Sequence, residues 1–399
     1  MSGMSALADW SDEIGRRVES MIALRRDFHR HPELSFQEKR TAEIIAERLH
    51  KTGLEVRTGI AGTGVVGVLR GERPGKTIAW RADIDALPLT EILDAPFASG
   101  TPGVMHACGH DGHTAIAITL AEIMSARRAE VPGTAVFIFQ PAEELLGGAK
   151  PMIEAGVLDN PRVDEIYGLH LTTQDRAGSV NVRRGPTMAS GDGFTVEVTG
   201  KGGHGAYPHL SVDPMTAAAH ILIGMQSLVT KEVAAKETVV LSVGQIQAGT
   251  KNNIIPDKAV MRGTLRTFDF DVREQMLGRL QSFVADMARA YRAEARLDLT
   301  MGCPPVVNPD REAGLVHRCA VEELGEAAVT EGPPVMASDD MSLFLRARPG
   351  CYFRVGIAPA HGRAAPHHAP EFEMNEDGLP TGLRVALGVM RSRLAPPEG

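Results

Sequence analysis

Thr134-Ala135-Val136-Phe137-Ile138-Phe139 is an uncharged, almost wholly apolar run that leads straight into Gln140-Pro141-Ala142-Glu143-Glu144. Bounded by Pro132-Gly133 before it and Pro141 after it, the run reads as a strand buried on both faces. Such strands belong to sheets covered by helices. The neighbouring segments agree. Val65–Leu69 reads as a strand ended by Gly71-Glu72-Arg73-Pro74-Gly75, and Lys76–Ala82 as another. Thr114–Ala129 reads as a helix stopped by Pro132-Gly133, and Ile166–Leu171 as a further strand. Upstream, Leu7, Ile14, Val18 and Ile22 give Ser5–Leu24 helical spacing, and Ala42, Ile45 and Leu49 do the same for Glu38–Leu49. Strands alternating with helices predict an α/β fold, a mixed sheet with helices on both faces.

The rhythm changes after Gly185-Pro186. Strand Phe194–Val198, helix Pro214–Val229, strands Thr238–Ile246 and Lys258–Thr267, helix Arg273–Arg292 and strand Ala295–Met301 follow in turn. That order is βαββαβ, the ferredoxin-like split unit, and it reads as an insertion. The chain then returns to helix Arg311–Leu324, strand Gly350–Val355 and helix Gly378–Leu394. Two domains are therefore expected: a discontinuous one over 1–186 and 307–399, and an inserted one over 187–306.

With 399 residues the chain is long for one core. A hydrophobic fraction of 43% with 23% charged residues is that of a globular protein, and a net charge of -8 argues against nucleic acid or an anionic membrane as the partner. The amino-terminal residues lack the apolar core of a signal peptide, and Ala115–Ala121 is too short to span a bilayer. Cys108, Cys303, Cys319 and Cys351 are too few for a disulfide framework. A reducing, cytoplasmic setting is expected, where Cys108 could serve as a thiolate ligand.

Ligand-type residues recur at the ends of the strands. Cys108 and His110 stand two apart in His106-Ala107-Cys108-Gly109-His110-Asp111-Gly112-His113. On an extended or turning backbone ahead of a helix at Thr114 their side chains can converge; alternatively Cys108 is a buried structural cysteine. Glu143-Glu144 follows the buried strand, where open α/β sheets place their sites; acids there also suit a solvated helix N-terminus. His170 ends the Ile166 strand, and His368 sits in Pro366-His367-His368-Ala369-Pro370. Asp83 and Asp85 end a further strand and could ligate a metal or orient a ligand histidine, the orienting role being preferred for Asp85. Each residue has a bland reading singly. Together they point to a metal centre in which one of two adjacent glutamates binds and the other moves a proton.

These motifs resemble the metal-dependent amidohydrolases that include hippurate hydrolase, N-acyl-amino-acid deacylases and the plant auxin-conjugate hydrolases, relatives of the co-catalytic zinc aminoacylases and carboxypeptidases. The matching segments run almost end to end: Leu24–Leu34, Arg81–Pro88, His106–His113, Phe139–Glu144, Gly168–His170, Gly202–His209, Asn253–Pro256 and His368–Pro370. The resemblance implies two divalent metal ions per subunit, zinc or manganese with cobalt or nickel as alternatives. It implies Cys108, His110, Glu144, His170 and His368 as ligands and Glu143 as general base, supported by Asp85. The insertion would be a lid and dimerisation domain of a homodimer, or of a tetramer built from it. His204 would enter the partner subunit's site, and Asn253, Arg266 and His209 would contact a small N-acyl amino acid. Leu171-Thr172-Thr173-Gln174 and Asp339-Asp340-Met341 depart from the family pattern and leave the acyl and amino-acid preference open. A dipeptidase or carboxypeptidase is the neighbouring alternative, and a metal or redox sensor on the same scaffold is one of a different class.

Overall fold

The computed structural model describes residues 10–359 and 364–395. It divides into two compact units. The first comprises Met1–Gly185, Val307–Pro333 and Leu343–Gly399, and the second Pro186–Val306 with Pro334–Ser342.

The first unit is built on an eight-stranded mixed sheet. In spatial order its strands are Glu55–Ile60, Gly64–Arg70, Pro132–Gln140, Arg73–Asp83, Glu165–Arg176, Gly350–Ala358, Val180–Asn181 and Val329–Thr330. The four central strands run parallel, with Asp83 opposite Gln140, Arg81 opposite Gly168 and His170 opposite Arg354. Their carboxyl ends therefore share one edge, and that alignment positions the site. Ile78, Trp80, Phe137, Phe139, Tyr167, Leu169 and Phe353 belong to one core with residues of helices Ser11–Arg30, His110–Ala126 and Gly378–Leu394. The residues between them on the strands, including Ala79, Val136, Ile138 and Ile166, are buried too. Burial on both faces explains the continuous apolar run after Thr134, since every position from Ala135 to Gln140 is buried. The outer strand Glu55–Ile60 has no buried residue, and its sequence carries little apolar signal.

The second unit has a four-stranded antiparallel sheet ordered Val239–Ala248, Lys258–Thr267, Gly191–Thr199, Glu294–Cys303. With helices Pro214–Glu232 and Phe270–Ala290 between strands, this is the βαββαβ arrangement. Asp213 and Asp269 cap the two helices by accepting backbone N–H groups of Met215 and of Asp271 and Val272. Phe194, Val196, Ile221, Met225, Met261, Leu265, Leu280 and Val284 form a separate core. Pro334–Ser342 belongs to this unit because the Ala189 N–H bonds to the Val335 and Ala337 carbonyls and Arg266 bonds to that of Met336. No sequence rhythm separates that stretch from its flanks. No helix among the described residues is long and apolar enough to cross a membrane.

Candidate metal centre

One expectation about the Cys108 segment needs correcting. The helix begins at His110 rather than Thr114, and Gly109 precedes it in the left-handed conformation at φ 88°. A positive φ suits glycine because it has no Cβ. The chain thus turns sharply between Cys108 and His110, and that turn, rather than an extended segment, brings both side chains to one place.

Two ligand groups meet at Cys108. Its sulfur and nitrogen atoms of His110 and His170 form one cluster; the same sulfur, a Glu144 oxygen and a His368 nitrogen form another. In each cluster the donor atoms lie within 4.8 Å of one another. Cys108 Sγ is 3.6 Å from His170 Nε2, and His368 Nε2 is 3.4 Å from Glu144 Oε1. Glu143 sits beside them, with His110 Nε2 4.0 Å from its Oε2 and 3.9 Å from Glu144 Oε1.

The surroundings fix which ring nitrogen faces inward. His110 Nδ1 donates to the Asp85 carbonyl at 2.9 Å, and His170 Nδ1 donates to the Leu171 carbonyl at 2.6 Å. A carbonyl only accepts, so in the neutral rings the proton sits on Nδ1 and the Nε2 lone pair is left for a cation. His110 Nε2 and Glu144 Oε1 are buried and have no hydrogen-bond partner. Buried polar atoms are rarely left so. A divalent cation would satisfy these atoms, and a thiolate, imidazoles and a carboxylate are its customary ligands. The residues present therefore fit a metal.

The electrostatics agree. Burial opposes charge on His110, but the neighbouring Asp83 and Cys108 outweigh it and raise its pKa. The neighbouring Cys108 and Glu144 push His368 up to about 10. Burial, with His113 nearby, pushes His170 down to about 3. Burial raises the Cys108 thiol, and Glu144 raises it further. The acids of this cavity favour positive charge among them. His367, which precedes His368, instead stacks edge-on against His170 at 5.3 Å, and burial drives it down to about 2.

The supporting residues divide the work between the two aspartates. Asp85 Oδ1 and Oδ2 accept the backbone N–H groups of Glu143 and Glu144, each at 3.1 Å, and Oδ2 also accepts the Ser35 hydroxyl at 2.7 Å. Asp85 thus holds the glutamate turn with its side chain and His110 with its carbonyl. Asp83 instead pairs with Arg81 at 2.7 Å and with His113 Nδ1 at 2.6 Å. His113 Nε2 accepts the Leu171 N–H at 2.9 Å, so the proton is on Nδ1 and the ring ties Asp83 to the residue following His170. Another buried group secures the same helix start: Asp111 Oδ2 lies 2.8 Å from both Arg25 Nε and His29 Nδ1. Sequence reasoning gave no role to His113, Asp111 or His29. Only the matching motifs Leu24–Leu34 and His106–His113 hinted at one.

The glutamates occupy a strained turn rather than a helix start. Ala142 has φ 52° and Leu146 φ 49°, conformations that cost non-glycine residues roughly 1–2 kcal/mol each. His368 is likewise left-handed at φ 62°, with its N–H on the Ala107 carbonyl. Such strain persists where surrounding bonds over-determine it.

The remaining candidates lie in the second unit. His204 is paired with Ile254 in a short antiparallel ladder, and the Gly205 N–H bonds to the Asn253 carbonyl at 2.9 Å, which sets His204 and Asn253 side by side. Close backbone approach favours the glycines: a Cβ on Gly202 would lie 2.8 Å from the Ile255 carbonyl oxygen, and one on Gly205 3.2 Å from that of Asn253. His204 Nδ1 accepts the Ala206 N–H at 3.0 Å, so the neutral ring carries its proton on Nε2. His204, His209 and Asn253 are exposed; Arg266 is half-buried, donating to the Met336 carbonyl at 2.8 Å. Asp339 accepts the Met341 N–H at 2.7 Å and so caps the helix starting there.

A family model for peptidase family M20/M25/M40 matches residues 79–392, and the chain belongs to that family. It is 39% identical over 368 residues to thermostable carboxypeptidase 2 of Saccharolobus solfataricus, covering 91% of this chain and 92% of that one. It is 39% identical over 360 residues to N-acetylcysteine deacetylase of Bacillus subtilis, covering 90% and 93%. A Bacillus subtilis crystal structure, of a dinuclear metal binding peptidase from the M20 family, superposes with a TM-score of 0.82 at 34% identity, covering 95% and 99%. Family and geometry together make this protein a metal-dependent hydrolase of amides, with divalent metals as its cofactor and a small-molecule amide as its substrate.

Proposed function

We propose that the protein hydrolyses the amide bond of an N-acyl amino acid, releasing a carboxylic acid and a free amino acid. One observation carries the reading: two ligand clusters share the Cys108 sulfur, with Glu143 beside them. Two divalent cations held by Cys108, His110, Glu144, His170 and His368 would supply Lewis acidity to the scissile carbonyl and the attacking water. The thiolate favours zinc; the nitrogen and oxygen ligands also accept manganese, cobalt or nickel.

Glu143 takes the proton of the attacking water and returns it to the departing nitrogen, acting as base and then acid. Asp85 keeps that carboxylate in place through the Glu143 backbone. The Nε2–H of His204 donates to the developing oxyanion, entering from the partner subunit of a homodimer formed through the second unit. Arg266 pairs with the carboxylate of the amino-acid half, and Asn253 and His209 border the substrate. The setting is cytoplasmic. A dipeptidase or carboxypeptidase is the second reading, supported by the carboxypeptidase relative. A sensor would need ligands but no base, and Glu143 speaks for the enzyme.

Hippurate, N-acetyl amino acids and dipeptides, each offered to the wild-type protein and to Glu143→Gln, test the reading. Turnover is expected to be highest on N-acyl amino acids and to fall by ~10²–10⁴ in the variant with metals retained. Preference for dipeptides would support the second reading, and equal turnover by the variant would refute Glu143 as the base.

A further inference from the structure

Glu38 is fully buried at the N-cap of helix Lys39–Lys51, yet its side chain does not cap that helix. Glu33 does the capping instead: its two carboxylate oxygens accept the Arg40 and Thr41 N–H groups at 3.0 and 2.8 Å. The Glu38 carboxylate is thereby released to face the other way. Its Oε2 accepts the Thr63 hydroxyl at 2.5 Å, and its Oε1 accepts the Ala142 N–H at 3.0 Å. Ala142 is the left-handed residue that opens the glutamate turn. The next two N–H groups, of Glu143 and Glu144, go to the two oxygens of Asp85. Three consecutive amides of a strained turn are thus held by two buried carboxylates. The turn also closes on itself, Gly147 N–H to Ala142 O at 3.1 Å.

Burying a carboxylate with only a hydroxyl and amides as hydrogen-bond donors is costly, and burial raises the pKa of Glu38. A residue serving the helix alone would not need that placement, since Glu33 already caps it. We propose that Glu38 is a positioning residue for the hydrolytic site: with Asp85 it clamps the turn 142–144 and so sets the directions of the base Glu143 and the ligand Glu144. The inference rests on the function proposed above. It adds a residue 104 positions from Ala142 in sequence to the machinery of the reaction.

The test uses Glu38→Ala, Glu38→Gln, and Glu38→Ala combined with Ala142→Gly. Glutamine keeps an oxygen for the Ala142 N–H and can donate to Thr63, whose hydroxyl rotates to accept. Glycine at 142 adopts a positive φ without the clamp. Backbone hydrogen exchange over 139–147 is read by mass spectrometry, alongside kcat and KM. In Glu38→Ala we expect faster exchange in that segment and a kcat ~10–100-fold lower, with KM changed much less. Glu38→Gln should stay within about threefold of wild type, and Ala142→Gly should return part of the turnover lost in Glu38→Ala. Should Glu38→Ala not fold, Glu38→Asp, one methylene too short to reach Ala142, is expected to show the same two effects. Unchanged exchange over 139–147, or a Glu38→Gln as impaired as Glu38→Ala, overturns the clamp. Failure of the wild-type protein to hydrolyse any amide would overturn the parent reading instead, and the exchange measurement would still decide the clamp.

Discussion

Around Cys108, four of the five proposed ligands are buried or half-buried, and the backbone that carries them is pinned by Asp83, Asp85, His113 and Asp111. Around His204, the side chain is exposed, and its Nδ1 accepts the N–H of Ala206, two residues away. The first unit carries groups that must keep fixed distances to a cation, so their supports are many and buried. The second carries the groups proposed to meet the substrate, on a short ladder whose glycines admit close backbone contact. Under the proposed function, metal binding falls to the first unit and substrate handling to the second, and substitutions should separate them.

The largest effect that sharpens this contrast is expected from Glu143→Gln, with the loss of turnover stated above and full metal content by elemental analysis. His204→Ala is next: turnover should fall by ~10²–10³ with the metal content unchanged. Loss of metal in His204→Ala would break the separation. His113→Ala should act in the opposite sense, weakening metal affinity by ~10–100-fold in chelator competition, because Leu171 and hence His170 lose a fixed partner. Unaltered affinity would show that the His113 tie is not needed.

The smallest effect concerns stability rather than chemistry. Burial opposes ionisation of Glu165, but hydrogen bonds from Arg393 and Lys76 outweigh it and hold the group at about 2. A depressed carboxylate stabilises the fold above its unfolded pKa, and that contribution fades as pH falls from about 4.5 toward 2. Glu165→Gln should therefore cost ~2 kcal/mol at pH 7 and progressively less below pH 4, as measured by urea unfolding. A cost independent of pH would place the stabilisation in packing.

The sequence made the strands legible because each central one is an apolar run, and it made the ligands legible through short motifs that group them, Cys108 with His110 and Glu143 with Glu144; of the expected strand ends, His170 in fact lies inside strand Glu165–Arg176 and His110 starts a helix. Cys108, His110, Glu144, His170 and His368 each have a bland use singly, and it is their recurrence together that points to a metal. The supports were not legible for a physical reason. Glu38 and Ala142 are 104 residues apart, and His113 and Leu171 are 58 apart. A glutamate at a helix start or a histidine in a first helical turn looks ordinary until the partner is seen. The sequence points to a helix start at Thr114 rather than His110 because Gly109 and Gly112 both suggest a loop, whereas only Gly109 has the left-handed conformation. The strand Glu55–Ile60 went unread because an edge strand without buried residues leaves no apolar pattern.

Anomalous diffraction from crystals grown with manganese or zinc would put the central claim to its most direct trial. Two peaks per chain are expected, both within bonding distance of Cys108 Sγ, one beside His110 and His170 and the other beside Glu144 and His368. A single peak, or peaks that do not share the Cys108 sulfur, would contradict the account.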